Sequence, residues 1–215
     1  MKLYYTEASP PCRTIILLAN LLNIKLELIL TSPKKGETVT ASFLQMNPQH
    51  VVPTLIDDDG YILWESRVIA KYLVEKYAKS DDLYPSTLYT RLEIDKILDF
   101  DLGTIFRRSS EHFIAVLFTG KYDPARKPKL DDALNVLNEI LMRNNSNFVV
   151  GKKLTIADIS LIATVSSLEV TGYDFSKFPN IISWLSNIKN AIPDYETIGM
   201  KGELAFKDMV DACLK

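Results

Sequence analysis

Leu3-Tyr4-Tyr5-Thr6-Glu7-Ala8-Ser9-Pro10-Pro11-Cys12-Arg13 is the stretch on which the fold turns. Leu3 to Tyr5 is β-prone, Ser9-Pro10-Pro11 stops the run, and Cys12 to about Leu22 is apolar and helix-forming. Proline is favoured in a first helical turn, where its missing N–H would have no partner anyway. A strand therefore passes into a helix at Ser9. Working outward, Leu26, Leu28 and Leu30 alternate with Lys25, Glu27 and Ile29, close to the period of two of a strand. Ser32-Pro33-Lys34-Lys35-Gly36 reads as a loop, and Ala41 to Met46 as a short helix. Pro53-Thr54-Leu55-Ile56 and Tyr61-Ile62-Leu63-Trp64 flank Asp57-Asp58-Asp59-Gly60, a hairpin signal. Glu65-Ser66 then opens a helix with Val68, Ile69, Tyr72 and Leu73 at helical spacing. The order β-α-β-α-β-β-α describes a compact α/β unit.

The charged stretch Lys79 to Pro85 reads as a linker, and the pattern beyond it is helical. Ile94, Ile97, Leu98, Asp101 and Ile105 mark one long helix; Leu130, Leu134, Leu137 and Leu141 mark another. Ile156 to Val170 is apolar nearly all round, as a buried central helix should be. Thr155 and Asp158 form its capping box. Ile181, Trp184, Leu185, Ile188 and Ile192 line a further helix opened by Pro179, with Trp184 and Ile188 in the core, and Leu204 to Leu214 suits a last one. The expected architecture is an α/β domain over residues 1–78, a linker over 79–88 and an all-helical domain over 89–215.

Composition narrows the function. At about 150 residues per domain, 215 residues allow one large domain or two small ones. With 47% hydrophobic and 24% charged residues and mean hydropathy near zero, the chain is of the globular class. Its 25 basic and 27 acidic side chains leave a net charge of −2, which offers no attraction to nucleic acid or an anionic membrane. Cys12 and Cys213 lie far apart, which suits a reducing compartment. With His50 and His112 they show no zinc-ligand spacing, so no metal is expected. Neither a signal peptide nor a run of about 18 apolar residues is present. A cytosolic protein is expected.

Three motifs carry chemistry. Ser9 opens the first helix, at the place where a thioredoxin-like fold carries the first cysteine of a redox pair. A hydroxyl forms no mixed disulfide, but it donates a hydrogen bond to a thiolate, helped by the helix N-terminus. The plainer reading is an ordinary N-cap. Val52-Pro53 lies between a helix and a strand, where a cis-proline in such folds exposes backbone for pairing with an extended peptide; both isomers are open from sequence. Trp64-Glu65-Ser66-Arg67 places a carboxylate, a hydroxyl and N–H groups at a helix start, which suits an amino-acid head group, or serves only to begin a helix.

Taken together, these motifs resemble the cytosolic glutathione transferases, most closely the insect delta class. The resemblance rests on Ser9-Pro-Pro-Cys-Arg13, Asn47-Pro-Gln-His-Val-Val-Pro-Thr-Leu55, Trp64-Glu-Ser-Arg67, Tyr72-Leu-Val-Glu-Lys-Tyr77, Leu83-Tyr-Pro85, Asp99-Phe-Asp-Leu-Gly-Thr104 and Leu154-Thr-Ile-Ala-Asp158. It runs nearly end to end and implies a thioredoxin-like domain followed by a helical bundle. It implies glutathione as co-substrate, with Ser9 on its sulfur. Val52, beside Val51, would pair through its backbone with the cysteinyl part, and Pro53 would be cis. Glu65 and Ser66 would hold the γ-glutamyl head group beside Arg67, and His50 would contact the glycyl end. The electrophile pocket is expected around Pro11, Ile105, Phe106, Phe113 and Phe206. A cytosolic detoxifying homodimer is implied.

The chain also departs from the family. Thr38, a glutathione-binding candidate whose hydroxyl can contact the glycyl carboxylate without adding charge, follows Gly36-Glu37 where a histidine is usual, Ala8 replaces a glycine, and the tyrosine-rich pocket helix reads Ile105-Phe106-Arg107-Arg108-Ser109-Ser110-Glu111-His112-Phe113-Ile114. Lys34 or Lys35 either substitutes for the missing cation or is a solvated loop charge. Cys12 is expected to be buried, and His112 either lines the pocket or packs. The leading function is glutathione conjugation to apolar electrophiles, with peroxide reduction open as a second use of the same thiolate. The alternative is a non-catalytic carrier of hydrophobic ligands; a scaffold and a Cys12-based reductase stand behind it.

Overall fold

The computed structural model describes residues 1–214. Its first third is β1 (Lys2–Tyr5), α1 (Pro10–Leu21), β2 (Glu27–Leu30), α2 (Ala41–Met46), β3 (Thr54–Ile56), β4 (Ile62–Trp64) and α3 (Ser66–Tyr77). The sheet order is β2-β1-β3-β4, with β1 parallel to β2 and antiparallel to β3, and β3 antiparallel to β4. Leu3 pairs with Leu28 on one side and Leu55 on the other. Leu3 and Leu55 are fully buried, so the centre of the sheet is core. Leu28 and Leu30 of the edge strand β2 are exposed instead, and each lines a cavity. The β3–β4 turn closes at Gly60, whose φ of +85° belongs to the left-handed region that glycine enters without steric cost.

The hairpin is tied to α3 by Asp57, which accepts hydrogen bonds from Tyr77 and Lys76 at 2.6 Å and from Tyr72. Helices follow: α4 (Leu88–Phe100), α5 (Arg107–Thr119), α6 (Lys127–Asn144), α7 (Ile156–Val170), α8 (Pro179–Ala191) and α9 (Tyr195–Asp211). The segment before α4 is pinned to the helices: Ile156 N–H donates to the Leu83 carbonyl, and Arg91 reaches the Tyr84 and Pro85 carbonyls.

Helix α7 is buried on all sides, from Ile156 to Leu168. Thr155 and Asp158 form the expected capping box, and Asp158 also accepts from Val149 N–H and Trp184 Nε1. Two readings need correction. The single long helix marked by Ile94 to Ile105 is α4 and α5 joined by a wider π turn, Asp101–Phe106. The last helix starts at Tyr195, before Leu204. Its glycines do not break it, because each lets a neighbour approach: a Cβ at Gly199 would meet the Tyr195 ring at 2.8 Å. No described helix is long and apolar enough to cross a membrane.

Candidate functional site

Ser9 sits at the end of the β1–α1 connection in extended conformation, and its Oγ accepts the Cys12 N–H at 3.3 Å. It is thus the N-cap of α1. Capping uses one acceptor position; the hydroxyl hydrogen stays free to donate. The plain reading and the chemical one are therefore compatible. Cys12, three residues on, is fully buried, and burial pushes its thiol up to about 11. A thiol held neutral in this way is no redox nucleophile.

The Val52–Pro53 peptide is cis. The preceding loop is shaped by Asn47, fully buried, whose Nδ2 donates to Thr54 Oγ1 at 2.8 Å and to the Val51 carbonyl at 3.2 Å. Thr54 Oγ1 donates to that carbonyl too. The Val51 carbonyl is thereby committed, while the N–H and carbonyl of Val52 bond to no other described residue.

Glu65 adopts φ +69° and ψ 102° immediately before α3, a left-handed geometry that costs a non-glycine residue about 1–3 kcal/mol and gathers at functional sites. Its Oε1 accepts from Gln49 Nε2 at 2.8 Å. Ser66 is buried and accepts from Arg67 Nη1 at 3.2 Å. Arg67 Nη2 meets Asp101 Oδ2 at 2.5 Å, and the guanidinium lies 5.3 Å from the Phe106 ring. Asp101 is fully buried and also accepts from Ser160 and Thr164 of α7. A carboxylate from the π turn thus holds the arginine that underlies Glu65 and Ser66.

Two cavities meet at this point. A groove of about 360 Å³ carries the polar side chains Ser9, Gln49, Glu65, Ser66 and Arg67, for which it is called the polar groove, beside Val51, Val52, Pro53, Pro11 and Leu102. An apolar cavity of about 670 Å³ is lined by Leu30, Phe113, Ile114, Leu117, Phe206 and Met209, with Lys34 among the residues around it. Ser9, Pro10 and Phe106 line both. Phe113 and Phe206 pack edge to face, their ring centroids 4.9 Å apart.

Several expected residues lie elsewhere. Ile105 is fully buried in the core, because it shares the face of Ile97, Leu98 and Asp101; its neighbour Phe106 reaches the cavity. Pro11 lines the polar groove rather than the apolar cavity. Thr38 is only 2% exposed in a short turn and lines neither cavity. His50, at φ +48°, is exposed and also lines neither. His112 is packed, not a cavity residue: it stacks on Tyr122 with centroids 4.7 Å apart, and burial lowers its pKa, with Lys127 adding to the shift. Gln49 and Asp101 were missed as site residues. Gln49 carried no signal, but Asp101 is an acid on an otherwise apolar helical stripe and was readable as such. Among the described residues, no three His, Cys, Asp or Glu side chains gather as metal ligands.

The chain is similar to known proteins over most of its length. Family models described as glutathione S-transferase N-terminal and C-terminal domains match residues 3–81 and 111–195. The chain is 39% identical over 191 residues to glutathione S-transferase D7 of Anopheles gambiae, covering 88% of this chain and 86% of that one. It is 39% identical over 198 residues to glutathione S-transferase D7 of Drosophila melanogaster, covering 91% and 87%. A solved delta-class glutathione transferase of Nilaparvata lugens superimposes with a TM-score of 0.93 at 40% identity, covering 99% of both chains.

Proposed function

The chain belongs to the glutathione S-transferase family, and from that premise we propose that Ser9 activates the glutathione thiol for attack on hydrophobic electrophiles held beside it. The observation that carries this reading is the position of Ser9 in the shared wall of the polar groove and the apolar cavity. The groove receives the tripeptide. Val52 offers an unused backbone N–H and carbonyl to its cysteinyl part. Glu65, Ser66 and the start of α3 receive the γ-glutamyl ammonium and carboxylate, with Arg67, paired to Asp101, holding the Ser66 hydroxyl in place. At the glycyl end Gln49 lines the groove, whereas Thr38 and His50 do not.

The energetics suffice without a general base. A free thiol has a pKa of about 8.5, so only a few per cent is thiolate at pH 7. Lowering it by about two units takes roughly 2.7 kcal/mol of preference for the anion. One charge-assisted hydrogen bond from Ser9 contributes about 1.5–3 kcal/mol, and the α1 N-terminus about 0.3–1 kcal/mol. The thiolate then meets an electrophile positioned in the adjoining apolar cavity, where proximity adds to the rate. Thiolate absorbance followed against pH in glutathione-loaded protein tests this. The wild type is expected to ionise bound glutathione well below the free thiol, and Ser9→Ala to lose that shift with about a ten- to hundredfold fall in kcat/KM. Equal ionisation in the two proteins would overturn the assignment.

The same reading includes a cytoplasmic homodimer. Leu88, Tyr89 and Leu92 form an exposed apolar face at the start of α4, which supports an interface there. Sedimentation is expected to give twice the 24.4 kDa chain mass; a stable monomer would remove this part of the reading and leave the thiol chemistry standing.

A further inference from the structure

From Phe106 at its N-cap, α5 turns one side to the apolar cavity: Phe106, Ser109, Ser110, Phe113, Ile114 and Leu117. Five hydroxyls stand on the cavity wall, and they differ in burial. Those of Thr6, Ser9 and Ser32 belong to half-buried residues and Ser110 is exposed, but Ser109 is only 5% exposed. A serine or threonine inside a helix can bond back to the carbonyl four residues earlier, as Thr119 does to Ala115 and Ser183 to Pro179. Ser109 makes no such bond, nor any other side-chain hydrogen bond with the described residues. Its hydroxyl is spent on nothing within the fold and lies on the wall of an apolar space, where an unmade hydrogen bond is costly.

The place of Ser109 along the helix matters as much as its burial. Phe106 lies three residues before it and Phe113 four after, so an aromatic ring flanks it on each side. Phe106 also borders the polar groove together with Ser9. Three residues of helix rise about 4.5 Å, and helical side chains lean towards the N-terminus, which here is the wall shared with Ser9. The hydroxyl therefore stands about one turn from the wall against which the sulfur is placed. That separation suits an electrophile whose attacked carbon and terminal oxygen are three bonds apart.

We propose that Ser109 is a second catalytic residue, resting on the thiol chemistry proposed above: its hydroxyl donates to the electrophile oxygen that gains negative charge as the thiolate attacks, which favours α,β-unsaturated ketones and aldehydes. The sulfur bonds to the β-carbon, the electron pair of the carbon–carbon double bond moves to the adjoining bond, and the carbonyl pair moves onto oxygen. The enolate oxygen accepts the Ser109 hydrogen bond without taking its proton. Water then protonates the α-carbon and the carbonyl re-forms; the hydroxide left behind takes up the proton that the thiol released on ionising. The hydrogen bond strengthens as the charge develops, and the flanking rings keep water from competing for it. Lys34 is the charged donor on the same wall, but it is exposed, where solvent and salt screen it.

Oct-3-en-2-one and 1-bromooctane, electrophiles of one chain length with and without the oxygen, are compared at saturating glutathione with the full chain. Ser109→Ala should lower kcat for the enone about ten- to hundredfold with little change in its KM, because the charge is made only in the transition state. The bromide rate should change by less than about twofold. Ser109→Thr, which keeps a hydroxyl, should retain the wild-type ratio of the two rates. Ionisation of bound glutathione, read by thiolate absorbance, should match the wild type in both variants. Equal losses for the two electrophiles, no loss for the enone, no retention of the ratio by threonine, or an enone loss produced by Lys34→Met and not by Ser109→Ala would each overturn the proposal. A wild type that conjugates neither electrophile would instead overturn the function proposed above.

Discussion

The two cavities that meet at Ser9 are built by different forces. The polar groove is held by directional bonds, some local and some crossing the molecule: Asn47 ties the loop before Pro53, and Asp101 ties Arg67 to Ser160 and Thr164 of α7. The apolar cavity is walled by side chains of α5 and α9 that hold one another by packing, such as Phe113 against Phe206. Hydrogen-bonded networks fix positions and fail sharply when one member goes, whereas apolar walls exchange members of similar volume at small cost. Under the proposed function, a single fixed co-substrate suits the first kind of wall and a varied set of electrophiles the second.

The sharpest break in that comparison is Asp101→Ala. It leaves Arg67 buried beside Ser66 without its counter-charge, together with two unpaired hydroxyls on α7. Removing one partner of a buried ion pair costs about 3–5 kcal/mol, so urea unfolding should show a loss of that order. Asp101→Asn, which keeps an acceptor, should lose less stability. Glutathione KM should rise in both, with the electrophile KM less affected; equal changes in the two would mean that the network supports the apolar cavity as well.

Much of this division was legible because it rests on local pattern. The strand–Ser-Pro-Pro–helix passage, the Asp-rich hairpin and the Thr155–Asp158 capping box each depend on residues within a few positions, and each forms where the pattern placed it. The apolar cavity was less legible. Ile105 and Phe106 are adjacent and both apolar, and only the helix phase through the π turn sends one to the core and the other to the cavity. The start of α9 was hidden by Gly199 and Gly202, since a glycine that admits a close neighbour reads locally as a helix breaker. Gln49 and Lys34 reach their cavities through tertiary placement that no spacing rule encodes.

A second test uses pH, because α7 carries the partners of Asp101 and is itself capped by an ionisable group. Burial raises the Asp158 carboxyl to about 6, against the lowering effect of hydrogen bonds from Trp184, Val149 and Thr155. A raised folded-state pKa contributes stability that is fully present below the unfolded value of about 4 and is lost as pH rises through about 6. Asp57 has the opposite sign. Burial alone would raise it, but hydrogen bonds from Lys76, Tyr72 and Tyr77 hold it well below the usual carboxylate range, so its contribution is present above about pH 4 and lost only in strong acid. Unfolding free energy measured from pH 4 to 8 should therefore carry a downward component that Asp158→Asn removes. A slope unchanged by that substitution would place its source elsewhere.

The smallest expected effect lies in the other wall. Met209 contributes a half-exposed, flexible side chain to the apolar cavity and makes no hydrogen bond across the fold. Methionine fills irregular gaps and tolerates replacement, so Met209→Ala should leave the unfolding free energy within about 0.5 kcal/mol of the wild type. The change should appear instead as about 1 kcal/mol in kcat/KM among electrophiles of different length, since a hydrophobic wall discriminates by about that much per methylene. Glutathione KM should stay constant, because the polar groove has no contact with this residue. If glutathione KM moved with electrophile KM, the shared wall of Ser9, Pro10 and Phe106 would be transmitting strain between the cavities. The two would then be one site under a single constraint.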